Sequence, residues 1–354
     1  MCSGGDFCEM SFKGLMDPRA IQALSLFPTP EPVTFDSREQ ILDHQVSGPI
    51  AMRQASLMDH FKVFDDERIS SSAGLRIEKR AIESSPDGNT INLQIIRKAS
   101  DDTQPCVYYI HGGAMATLSC FLPNYRAWGK MLAQLDVTVV MVDFRNSVSP
   151  SSVPEIAPFP GGLNDCIAGF KWTAKNSETL GIDPERIIIA GDSGGGNLAI
   201  SSSLSLLEEE ASEKPSGLYV ICPYIAGDYS SDELKSVEAN NGIFIDVKNN
   251  LATMGYGIEH LIARNPLAWP HFVDSRVLRA LPPTVVSVNE FDPLRDEGLM
   301  FFRKLLDADV RARCRTNMGV FHAIEVFPTI CPDISWDTAM SVASLASDSS
   351  RLAL

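Results

Sequence analysis

Gly191-Asp192-Ser193-Gly194-Gly195 follows the apolar run "RIIIA" at 186–190 and precedes the helix-like "NLAISSSLSLL". A serine in G-x-S-x-G on a strand–turn–helix corner has its hydroxyl held out on a strained turn, which suits a nucleophile; close strand–helix packing is the structural alternative for the same glycines. A serine hydroxyl is weak near neutral pH, so it needs a base, and the base needs an orienting acid. His322, in "NMGVFHAIEVF", is the one histidine C-terminal to both Ser193 and the strand-like "TVVSV" at 284–288; His260 and His271 fall in the irregular stretch before it. Asp292 follows that strand in "SVNEFDPLRDEG", with Glu290 as the runner-up acid. Asp296 and Glu297 belong to the first turn of the next helix, where they read as helix-end charges. A tetrahedral oxyanion needs preorganised N–H donors. The stretch His111-Gly112-Gly113-Ala114, at the end of "CVYYI" (106–110), and Gly194, just after the serine, are the candidates. Together these groups could carry out acyl transfer with no cofactor and no metal.

Elements of a particular kind must position them. "RIEKRAIES" and "INLQIIR" alternate like antiparallel strands around the turn-rich "SPDGNT". Solid apolar runs follow at 106–110, 137–142, 186–190, 218–222 and 284–288, and "VRARCRT" reads as a further strand. Runs without alternation suit parallel strands buried on both faces. Helical stretches alternate with them: "NYRAWGKMLAQL", "LNDCIAGFKWTAKN" and "NLAISSSLSLL". The expected fold class is α/β, a mostly parallel sheet with flanking helices that begins with an antiparallel hairpin.

Residues 223–280 interrupt this rhythm between two core strands and read as an insertion covering a ligand crevice at the strands' carboxyl ends. Residues 1–65, with short amphipathic helices in "DSREQILDH" (capped by Asp36 or Ser37) and "IAMRQASLMDHF", could complete the cover. The expected division is 1–65 and 223–280 as cap, 66–222 and 281–354 as core. The apolar residues Phe244, Ile245, Met254, Tyr256, Trp269 and Phe272 suit either an apolar acyl pocket or the cover's own core. Phe244, Met254 and Tyr256 are the substrate-binding candidates.

The chain has 354 residues, 44% of them hydrophobic, enough for one large core with a satellite. A net charge of −15 disfavours binding to phosphate backbones. "MCSGGDFCEMSFKGLMDPRA" has neither the basic nor the apolar region of a secretory signal, and no stretch reaches a membrane span. The eight cysteines are scattered without a CxxC pair; they read as core thiols in a reducing cytoplasm, with zinc not expected. The partners expected are a small-molecule ester, no nucleic acid and no membrane, with a homodimer left open.

"HGGA", "GDSGGGN", "LPPTVVSVNEFDPLRDEG" and "FHAIEVF", in this order over about residues 76–330, resemble the hormone-sensitive-lipase-like carboxylesterases of the α/β-hydrolase superfamily. The resemblance implies an α/β-hydrolase fold with a helical cap and hydrolysis of short- to medium-chain esters through a Ser193-Asp292-His322 triad. It implies oxyanion amides from Gly113, Ala114 and Gly194, with Gly112 shaping the turn. Four places depart from the usual pattern. Ala114 stands for a third glycine and Gly194 for the usual alanine; "DFRNSVSPSSVPE" replaces "DYRLAPE", and Ala323 follows the histidine. Since glycine accepts positive φ more readily than alanine, Ala114 is expected at negative φ or under modest strain. An amidase using the same triad, and a ligand-binding protein on the same fold, are the other readings.

Overall fold

The computed structural model describes residues 14–27, 33–46, 59, 61–209, 212–230 and 232–347. The helix expected in "IAMRQASLMDHF" lies almost wholly outside these residues, as do Cys2 and Cys8. The described strands are β1 (Leu75–Glu83), β2 (Thr90–Lys98), β3 (Gln104–Ile110), β4 (Thr138–Asp143), β5 (Ile182–Asp192), β6 (Gly217–Ile221), β7 (Thr284–Phe291) and β8 (Ala312–Phe321). The helices before the serine are α1 (Pro18–Leu24), α2 (Arg38–Gln45), α3 (Pro123–Ala133), α4 (Gly161–Lys175) and α5 (Ser177–Leu180). Those after it are α6 (Gly194–Glu208), α7 (Lys235–Asn240), α8 (Leu251–Ile262), α9 (Ser275–Leu278), α10 (Arg295–Asp307) and α11 (Pro332–Ser347).

The strands form one eight-stranded sheet in the order β1-β2-β4-β3-β5-β6-β7-β8. β1 with β2 and β2 with β4 are antiparallel, and every other neighbouring pair is parallel. The apolar runs are continuous because both faces are covered. From β3, Cys106, Tyr108 and Ile110 enter one core with residues of α4 and α6. Val107 and Tyr109 enter the opposite core, with residues of α3 and α11. Among the described residues no helix is long and apolar enough to cross a membrane.

The stretch between β6 and β7 carries α7, α8 and α9, and the N-terminal segment meets it. The Asn250 side chain, at the start of α8, accepts from Phe35 N–H (2.8 Å) and donates to Phe35 C=O (2.7 Å). α2 is capped by Ser37, whose hydroxyl accepts from Gln40 N–H at 3.3 Å. Gln40 reaches back to accept from Asp36 N–H at 2.9 Å, closing the turn from both sides.

Candidate active site

Ser193 follows β5 with φ 54° and ψ −121°, a conformation that L-residues enter only under strain and that holds the side chain out of the turn. Its neighbours are close-packed. A Cβ at Gly195 would meet His111 O at 2.5 Å, and one at Gly194 would meet the backbone nitrogens of Met115 (2.6 Å) and Ala114 (2.7 Å). Gly194 therefore sits directly against the 111–115 loop.

That loop is held from three sides. The Gly112 N–H donates to Tyr125 Oη at 2.8 Å, and Tyr125 donates in turn to Asp192 Oδ2 at 3.0 Å. The Gly112 amide is thus engaged with Tyr125. His111 Nδ1 donates to Gly112 C=O at 2.8 Å, with its ring stacked 4.3 Å from Phe144. Burial lowers the His111 pKa, which favours the neutral ring. The 143–155 stretch grips the far side, through Ser147 N–H to Met115 O (2.9 Å) and Ser149 N–H to Ala116 O (2.9 Å). Ala114 has φ 56° and Met115 φ 57°, so the expectation of a negative φ fails and the strained alternative holds. Each left-handed residue costs about 1 kcal/mol, and the surrounding bonds hold both in place.

Asp192, next to the serine, is buried and accepts from Tyr109 Oη (2.8 Å) and Tyr125 Oη (3.0 Å). Burial pushes its pKa up to about 6, although both tyrosines favour the charged form.

Asp292 and His322 meet through the register of β7 and β8. Phe291 pairs with Phe321, so the two residues leave the sheet side by side. The ladder shifts between Asn289↔Asn317 and Phe291↔Phe321. In the unshifted register Val320, not His322, would lie beside Asp292. Gly319, at φ 74°, accommodates the shift, and its N–H donates to Glu290 Oε2 at 2.7 Å. The runner-up acid thus serves the strand's geometry. His322 Nδ1 donates to Asp292 Oδ2 at 2.8 Å, and Leu294 N–H donates to Oδ1 at 2.8 Å. Burial pulls the His322 pKa down, but Asp292, through charge and hydrogen bond, with Asp192 and Glu325 adding to it, carries it above 6.5 overall.

Several supporting residues carried no signal in the sequence. Glu325 is fully buried behind His322 and accepts from Asn289 Nδ2 (2.8 Å) and Asn317 Nδ2 (2.7 Å). Asn289 Nδ2 also donates to Phe321 C=O at 2.7 Å, fixing the end of β8. From α7, buried Asn240 donates to the carbonyls of Glu290 (3.1 Å) and Asp292 (3.2 Å), while Ser236 Oγ donates to Pro293 C=O at 2.7 Å. Asp296 and Glu297 do lie in the first turn of α10, but they are more than helix-end charges. Asp296 accepts from Ser236 N–H at 2.7 Å. Glu297 accepts from Ile225 N–H at 2.8 Å, and burial pushes its pKa up to about 8.

The pocket candidates separate. The Phe244 ring lies 6.3 Å from the His322 ring and 4.8 Å from both Phe27 and Phe321. Met254 packs with Phe35, Ile41, Ala116 and Val148, close to the 111–115 loop. Tyr256 is buried where the insertion meets the core, 5.7 Å from Phe159 and 5.9 Å from Trp269. Phe272 lies under Arg264, with the cation 5.6 Å from the ring centroid.

A largely parallel sheet with a glycine-bound serine after β5 is the architecture of an α/β-hydrolase. Residues 107–326 match the family described as alpha/beta hydrolase fold. Carboxylesterase NlhH of Mycobacterium tuberculosis is 29% identical over 253 residues, covering 69% of this chain and 74% of NlhH. Among solved structures, esterase Est22 superposes with a TM-score of 0.91 at 48% identity, covering 95% of this chain and 98% of Est22. Brefeldin A esterase, a bacterial homologue of human hormone-sensitive lipase, gives 0.83 at 34% identity, covering 95% and 94%. The chain belongs to the alpha/beta hydrolase fold family, within the esterases similar to hormone-sensitive lipase.

The contact between Gly194 and the 111–115 loop gives a first expected result. In Gly194→Ala the added methyl must displace the Ala114 and Met115 backbone. If this loop offers the oxyanion amides expected from the sequence, displacing it misaligns them, and losing one such donor costs about 10²–10³ in kcat. Steady-state kinetics on a chromogenic ester should show this fall with a much smaller change in KM; activity within threefold of the parent would mean that the loop does not supply the donors.

Proposed function

We propose that the chain hydrolyses small-molecule carboxylic esters with short- to medium-chain acyl groups, through an acyl-enzyme on Ser193. It is a carboxylic ester hydrolase, as its esterase relatives indicate. The finer reading rests chiefly on one observation: Asp292 and His322 emerge together from β7 and β8, joined at 2.8 Å, at the edge where β5 delivers Ser193.

Ser193 Oγ attacks the ester carbonyl carbon while His322 Nε2 takes its proton. Asp292 holds the Nδ1–H tautomer and stabilises the imidazolium. The N–H groups of Gly113, Ala114 and Gly194 receive the developing oxyanion. His322 then protonates the departing alcohol, and water hydrolyses the acyl-enzyme by the same steps in reverse. The N-terminal segment and the 223–280 insertion act as the cap. Phe244, supported by Phe27, forms an apolar wall beside His322 for the ester's apolar part. Met254 supports the wall nearer the 111–115 loop.

A fluorophosphonate probe tests this reading. The expected product is a mass shift on the Ser193 peptide, formed at a rate that rises with pH. The base must be neutral to act. Since the His322 pKa is raised, the labelling rate should fall with acidification through a midpoint above 6.5. A rate that is flat from about pH 5 to 8 would remove histidine from the role of base.

A further inference from the structure

Four adjacent strand ends meet at this edge, and the proposed chemistry uses three of them. β5 delivers Ser193, β7 delivers Asp292 and β8 delivers His322. The strand between, β6, delivers Cys222. Asp192 pairs with Ile221, so Ser193 and Cys222 leave the sheet as neighbours. Cys222 is fully buried, its N–H donates to Ser287 C=O at 2.7 Å, and its φ is 45°, a left-handed value rare for a residue with a side chain. Its sulfur, an Asp292 carboxylate oxygen and a His322 ring nitrogen all lie within 4.8 Å of one another.

A thiol, a carboxylate and an imidazole in one cluster are the donor set of a borderline-soft d¹⁰ cation. At zinc bond lengths of about 2.0–2.3 Å, tetrahedral ligand atoms stand roughly 3.3–3.8 Å apart, so side-chain adjustments of about an ångström would close the three around one ion. His322 is 3% exposed whereas Cys222 and Asp292 are 0% exposed, so an ion enters across the His322 face.

We propose that Cys222, Asp292 and His322 form an inhibitory site for a thiophilic d¹⁰ cation of the Zn²⁺ class. On binding, the Cys222 S–H bond is exchanged for an S–Zn bond and the proton leaves to solvent. The His322 proton moves from Nδ1 to Nε2, freeing the Nδ1 lone pair for the ion; the Asp292 carboxylate binds as the anion. No oxidation state changes. An imidazole carrying its proton on Nε2 can donate to the Ser193 hydroxyl but cannot take the proton from it, so acyl transfer stops. The inhibitory part of the proposal rests on His322 being the base; the binding part does not. The missing CxxC pair does not bear on such a site, because its ligands come from the ends of β6, β7 and β8.

The test has two arms. In the first, chelator-washed enzyme is titrated with Zn²⁺ during ester hydrolysis, and Cys222→Ala and Cys222→Ser are each measured against their own uninhibited rate. Loss of even an outer-shell partner costs about 10–100-fold in metal affinity, so losing the thiolate should raise the half-inhibiting concentration about 100-fold or more. Addition of EDTA should restore the parent's activity. In the second arm, Co²⁺ is added to the Ser193→Ala protein, with no turnover involved. A near-ultraviolet sulfur-to-cobalt charge-transfer band is expected, and it should be absent when Cys222→Ser is combined with Ser193→Ala. Half-inhibition unchanged within threefold in both cysteine variants, or no sulfur-to-cobalt band, would overturn the site. A cysteine-dependent band without inhibition would uphold the site and instead remove His322 from the role of base. Should Cys222→Ala fail to fold, the serine variant and the cobalt spectrum still decide.

Discussion

Ser193→Ala is expected to lower kcat by about 10⁶ while leaving the fold intact, the scale seen when the nucleophile of a serine triad is removed. The backbone around the serine is held by bonds that the substitution does not touch. Ser193 N–H donates to Ile221 C=O at 2.8 Å, and Ser193 C=O accepts from Tyr224 N–H at 3.0 Å. Alanine inherits the same strained φ and loses only the hydroxyl. The melting temperature should therefore stay within a few degrees of the parent's as kcat collapses. A purified variant retaining a tenth of the activity would show that another group forms the acyl-enzyme.

Asp292→Asn is expected to cost about 10⁴ in kcat, because an amide NH₂ facing His322 favours the wrong imidazole tautomer. The substitution is nearly isosteric, and its Oδ1 can still accept the Leu294 N–H, so the loop should keep its shape. Glu290→Gln provides the comparison. Its carboxylate serves Gly319 N–H in the β7–β8 shift, a bond that an amide oxygen can also accept. Its cost should be far smaller, and a larger loss in Glu290→Gln than in Asp292→Asn would reassign the acid. Both are read from kcat on one ester, with circular dichroism to confirm folding.

The parts of this molecule that were legible in its sequence are those whose causes are local. Strands buried on both faces need unbroken apolar runs, so β3, β4, β5, β6 and β7 could be read directly. The serine corner needs small residues at fixed offsets, and it has them. Contributions set by tertiary register were hidden. Gly319 looks like any glycine until the β7–β8 ladder shows the shift that it allows. Glu325, Asn289 and Asn240 carry no motif, because their partners lie on other elements. Cys222 read as a core thiol because its apolar strand supplied that context; its left-handed backbone, which removes it from the strand's alternation, is visible only in three dimensions. Apolar character alone did not show what Tyr256 packs against, since its partner Phe159 comes from outside the insertion.

The grip of α7 on the loop that carries Asp292 bears on how such an enzyme diversifies. The stretch between β6 and β7 looks like an exchangeable module, since it leaves and re-enters the sheet at two adjacent strands. Here part of the module is not exchangeable. The 235–240 helix carries Asn240 and Ser236, which fasten the backbone at Glu290, Asp292 and Pro293. A recombinant that replaced the whole insertion with a foreign one would lose these fastenings together with the old specificity. Grafts with both boundaries placed after Asn241 keep these fastenings, but must also replace the later ties to the core, where Ala268 C=O accepts from Asn197 Nδ2 at 3.0 Å and Tyr256 C=O accepts from Phe159 N–H at 2.8 Å. The 235–240 helix therefore belongs with the β7 end that carries Asp292 whenever the rest of the insertion is exchanged.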